Sequence, residues 1–562
     1  MAVGRDEDLL GLRGPDTAVR SLEGRTLLPG FVDAHAHLLS GGLDLFRIEL
    51  RGTGSLAEFA RRVSDRARQT PPDRWLLGGG WDENAWDGPL PDRTLLDEVA
   101  PHHPVFLLRT DLHVGVANSE ALRRAGIDEA HAEGDRRIDR DPVTGRLTGI
   151  LREGAMERMS AVLPPPTQAE RRAALQAALR HAATLGVTQI HDMGALQSAE
   201  ESWASFHALR ELRHAGELPL RIHAQLPISE RDALARLIAE EGRGDERLRW
   251  GGAKGFVDGT LGASTAWMRA PYTHDPTTSG GPITDPAELR EAILEAAALG
   301  LQPITHAIGD RAVEWVVGVY EEVLAGRAPG GDEVLASRAR GGDEVLAGRA
   351  RVAGAGHANG GSPGAHPHVA PDGHPESLRP RIEHAQHLSD ELIRRIAEVG
   401  RTTGSPDRIH LSMQPAHLVD DGPWAAGRIG PERLRDAFPF RRLVDAGIPV
   451  SFGSDWTVVP MDPRLALDAA VHRIHRGGEV FGEAERVSLE EALHAHTLEG
   501  ARAGGWESTT GSLEVGKWAD LVVVDPSPFG RSDRRTRRME VVATYVGGTP
   551  VWMHDDQSRG NG

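Results

Sequence analysis

The chain has 562 residues, of which 39% are hydrophobic, and it carries a formal net charge of −18. This acidic balance argues against a nucleic-acid-binding protein, which needs a basic face to replace the counterions of the phosphates. The sequence contains no cysteine, which excludes disulfides, thiolate metal sites and cysteine nucleophiles. A metal ion would therefore bind His, Asp or Glu side chains, or an oxygen derived from lysine.

The first residues, MAVGRDEDLLGLRG, are charged and lack the apolar run of a signal peptide. No segment of the sequence reaches the roughly 20 apolar residues that a membrane-spanning helix needs. We therefore expect a cytoplasmic protein that has no membrane partner.

Short apolar segments predict eight β-strands, and amphipathic stretches separate most of them. The predicted strands cover residues 30–38, 187–194, 220–226, 251–259, 301–309, 381–388, 410–415 and 448–455. One of the amphipathic stretches, residues 285–300, begins with Asp285 as an N-cap and ends at Gly300, so it predicts a helix. This alternation predicts an α/β fold, a (β/α)8 TIM barrel over residues 29–505.

Two insertions interrupt the alternation. Residues from about 40 to about 185 are too many for a loop, so we expect them to have their own structure near the active site. Residues from about 325 to about 378 contain the repeat GGDEVLASRAR and GGDEVLAGRAR, followed by a Gly/His/Pro-rich run, and we expect disorder there. This second insertion joins a helix to the next strand, at the face of a barrel away from the active site, which makes its histidines poor ligand candidates. These histidines are His357, His366, His368 and His374.

The two chain ends, residues 1–28 and 506–562, have short β-strand and turn patterns. We expect them to form a small β-sandwich domain beside the barrel.

Polar side chains stand at or near the ends of five predicted strands. They are His35, His37, Lys254, His306, His384 and Asp455. Catalytic residues of barrels gather where the strands end, so these six side chains are expected to converge there. Imidazole nitrogen and carboxylate oxygen are ligands of divalent ions such as Zn²⁺, and the set predicts a site for two of them.

Each of these residues also has a simpler interpretation. Lys254 would more often pair with an acid, and Asp455 in GSD could be a helix N-cap. His306 and His384 could be hydrogen-bonded core residues. The conjunction of all six at or near the ends of five strands favours the metal site.

The sequence resembles the amidohydrolase superfamily, and within it the branch that includes N-substituted formamide deformylase. The resemblance rests on motifs such as GRTLLPGFVDAHAHL (24–38), KGFVDGTLGASTAWM (254–268), THAIGDRAV (305–313), RIEHAQHL (381–388), SMQPAHL (412–418) and GSDWTVVPMDP (453–463). Family members have some tens of residues before the point where AVGRDEDLLGL begins here. The resemblance therefore implies either that the true start lies upstream or that this variant lacks the first strands of the small domain.

The resemblance implies a ligand role for each of the six residues. His35 and His37 would bind the more buried metal, with Asp455 nearby, and His306 and His384 would bind the second metal. Lys254 would be carboxylated and would bridge two Zn²⁺ ions. Asp455 would act as the general base towards a water whose pKa the metals lower.

Further residues are candidates for substrate contact. His113 would help to polarise the substrate carbonyl, or it is a surface-loop histidine. Trp81 and Trp86 would line the substrate pocket, or they pack in the core of the first insertion. Asp192, at the end of the second strand, would hold a ligand in place.

The expected function is hydrolysis of a non-peptide amide C–N bond in a small molecule, with N-substituted formamides as candidate substrates. The same fold could instead hydrolyse a cyclic amide, an imine-type C–N bond or an ester, because specificity depends on the loops. A non-catalytic barrel that binds a ligand or acts as a scaffold is the alternative from another class. The oligomeric state is left open, with a homodimer as one option.

Overall fold

The computed structural model describes residues 4–554 apart from 16, 18, 84–85, 87–88, 110–113, 131–134, 153, 196–197, 327–378, 403–408 and 530–535. Its strands are β1 (Thr26–Pro29), β2 (Phe31–Ala36), β3 (Ile48–Glu49), β4 (Leu76–Trp81), β5 (Val105–Arg109), β6 (Val114–Ala117), β7 (Ile138–Arg140), β8 (Leu147–Arg152), β9 (Val187–Asp192), β10 (Arg221–Pro227), β11 (Leu248–Phe256), β12 (Gln302–Ala307), β13 (Arg381–His384), β14 (His410–Met413), β15 (Val450–Phe452), β16 (Leu521–Asp525), β17 (Glu540–Val546) and β18 (Thr549–Met553).

The α-helices are α1 (Asp6–Leu9), α2 (Leu38–Asp44), α3 (Leu56–Gln69), α4 (Arg93–Val99), α5 (Ser119–Arg124), α6 (Gly154–Ser160), α7 (Gln168–Thr184), α8 (Ala199–His214), α9 (Arg231–Glu241), α10 (Pro286–Ala298), α11 (Asp310–Leu324), α12 (Asp390–Thr402), α13 (His417–Ile429), α14 (Phe440–Asp445), α15 (Pro463–His472), α16 (Leu489–Ala495) and α17 (Leu498–Ala503). As predicted, the Asp285 side chain caps α10 by accepting from the backbone of Ala287 and Glu288. Gly300 follows the helix with a positive φ of 73°. No helix in the described ranges is long and apolar enough to cross a membrane.

Eight parallel strands form the barrel, in the order β2, β9, β10, β11, β12, β13, β14 and β15. Each coincides with one of the eight strands predicted from the sequence. The first and last strands meet just beyond their ends, where Asp455 N donates to His35 O at 2.7 Å and His37 N donates to Trp456 O at 2.8 Å. The predicted (β/α)8 barrel is confirmed.

The barrel strands are buried on both faces, as expected of parallel strands that helices cover. All six residues of β2 are buried, including the acidic Asp33 and the histidine His35. Polar side chains inside such a strand need partners within the protein. They therefore mark the interior where the site is built.

Both chain ends contribute to one antiparallel sheet, in the order β1, β16, β17, β18. The two chain ends thus form one domain, as predicted. In the described residues this domain is a single sheet, whereas the predicted β-sandwich would have two. A buried ion pair ties it to the barrel: Arg221 Nε on β10 donates to Asp520 Oδ2 at 2.6 Å. Asp520 also accepts from Arg221 Nη2 at 2.9 Å and from Gly547 N at 2.7 Å.

The chain divides into two compact units, residues 1–40 with 178–562 and residues 41–177. The second unit corresponds to the predicted first insertion. It contains a six-stranded mixed sheet in the order β3, β4, β5, β6, β8, β7 and has its own hydrophobic core around Phe59. The predicted disordered insertion lies, from residue 327 onward, outside the described residues.

Candidate metal centre

The candidate metal centre lies where barrel strands β2 and β15 end. The backbone hydrogen bonds that close the barrel run between residues 35–37 and 455–456, so they bring Asp455 next to the two histidines of β2. Asp455 Oδ1 lies 3.4 Å from His35 Nε2 and 3.3 Å from His37 Nε2. Two nitrogens and an oxygen therefore face one small volume.

Second contacts of the two histidines orient their rings. His35 Nδ1 lies 2.6 Å from Glu383 Oε2, and His37 Nδ1 lies 2.8 Å from the Gly194 carbonyl oxygen. An Nδ1–H that donates to such an acceptor leaves the Nε2 lone pair for a metal ion. Both rings thus have the orientation that metal-binding histidines adopt.

His384 completes a set of three possible ligands. One ligand atom each of His35, His384 and Asp455 lie within 4.8 Å of one another, and all three residues are buried. His384 Nδ1 is buried and has no hydrogen-bond partner among the described residues. This unpaired nitrogen argues against a purely structural role for His384, because a histidine buried in the core normally has its ring nitrogens hydrogen-bonded.

Two residues of this set have strained backbone. His384 has a φ of +70° and Asp455 a φ of +56°, in the left-handed region that side-chain-bearing residues seldom adopt. Strain of this kind costs on the order of 1–3 kcal/mol per residue and is common at functional sites. The helix-cap interpretation of Asp455 is wrong, since Asp462 caps the following helix, α15.

His306 and Lys254 lie on the neighbouring strands β12 and β11. The His306 ring is 4.4 Å from the His384 ring, between centroids. His306 Nε2 lies 3.2 Å from the Gly259 carbonyl oxygen, which leaves Nδ1 as the nitrogen for a metal. Lys254 is 4% exposed, and its Nζ has no hydrogen-bond partner within the described part of the chain, so it is not paired with an acid as its simpler interpretation required.

The electrostatics of the site keep the Asp455 and Glu383 carboxylates ionised, and they lower the pKa of His306 and Lys254. Burial alone would raise the pKa of Asp455, but the neighbouring His35 and His37 hold it well below its usual value. Burial likewise opposes ionisation of Glu383, while Arg381 and His35 lower its pKa to about 2. Burial lowers the pKa of His306 to about 3 and that of Lys254 to about 8.

This donor set fits a divalent metal ion. It offers imidazole nitrogens and a carboxylate oxygen, which Zn²⁺ accepts. Lys254 Nζ and His384 Nδ1 are buried polar atoms that lack a partner among the described residues, and such atoms are costly unless a ligand satisfies them. The structure brings all six predicted ligands together, and their roles as ligands stay predictions.

Two buried acids that support the site were missed at the level of sequence. Glu383 contacts His35, and it forms an ion pair with Arg381 at 2.8 Å. Asp33 accepts from His35 N at 3.1 Å and from Ser454 Oγ at 2.6 Å, so it ties β2 to the Asp455 loop. The available signal was an acidic residue within a predicted barrel strand, because acidic side chains are seldom fully buried unless they are paired.

The remaining candidates lie elsewhere or have other contacts. Asp192 Oδ1 accepts from Leu38 N at 3.0 Å, so it holds the backbone just after His37, in line with its predicted role. His113 lies outside the described residues.

Trp81 and Trp86 both lie in the core of the 41–177 unit, 0% and 7% exposed. Their rings are 6.5 Å and 6.3 Å from that of Phe59, between centroids. The packing role, which the sequence left as the alternative, accounts for this burial, and the substrate-pocket role of the two residues stays a prediction.

The sequence profile described as the amidohydrolase family matches residues 18–377 and 368–552. The chain belongs to the amidohydrolase family. This amidohydrolase is 31% identical to Protein LONG AFTER FAR-RED 3 of Arabidopsis thaliana, over 98% of the chain and 86% of that protein. It is 27% identical to N-substituted formamide deformylase of Arthrobacter pascens, over 97% and 92% of the two chains.

A solved structure of an uncharacterized metal-dependent hydrolase from Pyrococcus furiosus resembles this amidohydrolase with a TM-score of 0.67. The two sequences are 30% identical, and the match covers 91% of this chain and 89% of that one. The family resemblance inferred from the motifs is thus confirmed.

Proposed function

We propose that this amidohydrolase is a metal-dependent hydrolase of non-peptide amide C–N bonds, with N-substituted formamides as candidate substrates. The observation that carries the proposal is the Asp455 carboxylate, held 3.3 Å and 3.4 Å from the Nε2 atoms of His37 and His35. The likeness to N-substituted formamide deformylase along nearly the full length of both chains supports the substrate class.

The family resemblance implies which residues would hold the metals. His35, His37 and Asp455 would hold one Zn²⁺, and His306 and His384 would hold a second, with a carboxylated Lys254 between the two. A bound divalent ion supplies Lewis acidity towards a carbonyl oxygen and lowers the pKa of water towards neutrality. Glu383 and the Gly194 carbonyl would fix the ring orientations of His35 and His37.

Asp455 would move the proton. Its low pKa keeps the carboxylate ionised, and therefore able to accept a proton from the attacking water. It would then return this proton to the departing nitrogen while the C–N bond breaks, so that a free amine and a carboxylic acid result. Oδ1 faces the ligand histidines, which leaves Oδ2 as the oxygen nearer to a substrate.

Two features of Lys254 support its carboxylation. The sequence has only two lysines, Lys254 and Lys517, and its other basic side chains of this length are arginines. Arginine stays protonated in proteins and therefore does not form a carbamate with CO₂. Burial lowers the pKa of Lys254 to about 8, which increases the share of neutral amine that reacts with CO₂. The resulting carbamate would offer two anionic oxygens in place of a cation.

Metal content and amide hydrolysis test the proposal together. Protein loaded with zinc and bicarbonate should contain two equivalents of zinc and release formate from N-benzylformamide. A His35→Ala/His37→Ala variant should lose both properties. His103→Ala is the matched control, because His103 is also buried and hydrogen-bonded, to Thr70 O at 3.1 Å in the separate unit.

Absence of zinc from the loaded wild-type protein would overturn the metal site. Bound zinc without hydrolysis of any member of a panel of N-formyl amines, anilides and cyclic amides would overturn the amide assignment.

A further inference from the structure

His417 is a buried histidine beside the metal centre, and it is not one of the six predicted ligands. It is the first residue of α13, which follows β14, so it stands at the same end of the barrel as Asp455. The residue is 9% exposed. Its backbone is fixed by a hydrogen bond from His417 N to Gln414 O at 3.1 Å.

The ring of His417 faces the second oxygen of Asp455. Its Nε2 lies 3.7 Å from Asp455 Oδ2, which is too far for a hydrogen bond. The ring also stacks on His384, 6.0 Å between centroids and 21° between planes. His417 therefore borders the site on the Oδ2 side, while His35 and His37 lie on the Oδ1 side.

His417 Nε2 is buried and has no hydrogen-bond partner among the residues that the structure describes. A buried polar atom without a partner costs about 1–3 kcal/mol, so a purely structural histidine would be expected to find one. A ligand that enters beside Asp455 would remove this cost.

A second acid, Asp421, interacts with His417 from the same helix. It lies one turn along α13, at the i+4 position, and the interaction is electrostatic. Asp421 is itself fixed, because it accepts from Gln386 Nε2 at 2.9 Å.

We propose that His417 is a further catalytic residue, whose Nε2–H donates a hydrogen bond to the substrate carbonyl oxygen as negative charge develops there. This inference rests on the proposed amide hydrolysis. The hydrogen bond forms and breaks no covalent bond, and it leaves proton transfer to Asp455. It stabilises the transition state more than the ground state, because the oxygen becomes more negative as the water attacks.

Two substitutions of His417 test the proposal. His417→Leu removes the donor but keeps an apolar side chain of similar size, whereas His417→Gln keeps an N–H at about the place of Nε2. His475→Leu is the matched control: His475 is also 9% exposed, and it packs on Gly422 of the same helix so closely that a Cβ there would clash.

For His417→Leu, we expect kcat on N-benzylformamide to fall about 10²–10³-fold, with KM changed less than about threefold. Zinc content should stay at the wild-type value. His417→Gln should recover at least about tenfold of the lost kcat. The binding of methylphosphonate, a tetrahedral oxyanion, to the zinc-loaded protein should weaken at least about tenfold in His417→Leu by isothermal titration calorimetry.

Loss of zinc from His417→Leu would overturn the proposal and make His417 a metal ligand. An unchanged methylphosphonate Kd, or a fall in kcat that His475→Leu reproduces, would overturn it as well. If the wild-type protein hydrolysed no amide, the proposed function would fail, but the methylphosphonate comparison would still decide whether Nε2 binds an oxyanion.

Discussion

Glu383 Oε2 lies 2.6 Å from His35 Nδ1, although the two residues are on strands that are not neighbours in the barrel. Glu383 thus orients the ring of His35, a predicted ligand, and it directly precedes His384, another predicted ligand. The two sides of the site are therefore coupled by one hydrogen bond across the barrel interior.

Substitution Glu383→Gln should weaken zinc binding. The amide is a poorer acceptor for the His35 N–H than the carboxylate, and losses of such partners typically cost about 10–100-fold in metal affinity. Competition with a chromophoric chelator measures this. Glu485→Gln is the control, since Glu485 is a buried acid paired with Arg442 away from the site; equal affinity in Glu383→Gln and the wild type would contradict the prediction.

Labelling with ¹³C-bicarbonate should give one carbamate resonance in the carbon NMR spectrum of the zinc-loaded protein. Lys254→Met should abolish this resonance and reduce the bound zinc, because the bridging oxygens are lost. Lys517→Met should retain it, since Lys517 is the only other lysine and its Nζ donates to Ser512 Oγ at 2.6 Å. A resonance that persists in Lys254→Met would show that carboxylation at this residue does not occur.

Trp81→Ala should destabilise the 41–177 unit by about 3–5 kcal/mol, because the substitution leaves a cavity in its core. Urea unfolding followed by tryptophan fluorescence measures this change. Trp75→Ala should have a smaller effect, since Trp75 is only half-buried. The zinc content of Trp81→Ala should remain that of the wild type, and a variant of unaltered stability but altered KM would instead indicate a pocket role.

Removal of the buried carboxylate in Asp520→Ala should destabilise the protein by about 3–5 kcal/mol, because Arg221 is left as an unpaired buried charge. Glu321→Ala is the comparison, since the Glu321–Arg395 ion pair is 36% exposed on both sides and should contribute only about 0–1 kcal/mol. Chemical denaturation of the metal-free proteins measures both. Similar effects of the two substitutions would show that the buried ion pair contributes no more to stability than the exposed one.

The metal-free protein should lose stability as the pH falls below about 6.5, in part because of His387. Burial, with a smaller effect of Arg433, lowers the pKa of His387 to about 3. Between that pKa and the ordinary value near 6.5, the unfolded chain binds a proton that the folded chain does not, so the free energy of unfolding decreases as the pH is lowered. His387→Leu should make this dependence shallower by about 1.4 kcal/mol per pH unit.

Urea unfolding of the metal-free protein at several pH values in this window tests the prediction. His207→Leu, a substitution at an exposed histidine of α8, should leave the slope unchanged. A wild-type slope in His387→Leu would show that the residue takes up its proton in the folded protein.

The barrel and its six candidate ligands could be predicted from the sequence because both depend on local pattern. Apolar runs near Phe31, Val187 or Ile304 indicate parallel strands. The residue at which each run ends can be read directly from the sequence. A residue such as His306 at that position can therefore be placed without knowing which strands are neighbours, since all carboxyl ends of a barrel meet at one face.

The contacts across the barrel could not be predicted in this way. Nothing in the order of residues indicates that Glu383 reaches His35, or that Asp33 accepts from Ser454, because these pairs are separated by hundreds of residues. The aromatic residues Trp81 and Trp86 show the same limit: the sequence leaves a pocket role and a core role open, and only the structure shows that both side chains are buried in the 41–177 unit.

The sequence by itself determined the fold class and the family, and it predicted a set of candidate metal ligands. Only the tertiary structure decided which nitrogen of each histidine is available, which oxygen of Asp455 faces His417 and which acids orient the ligands. The physical reason is that strand periodicity is a short-range property of the chain, whereas hydrogen-bond partners and burial depend on how distant strands come together in space.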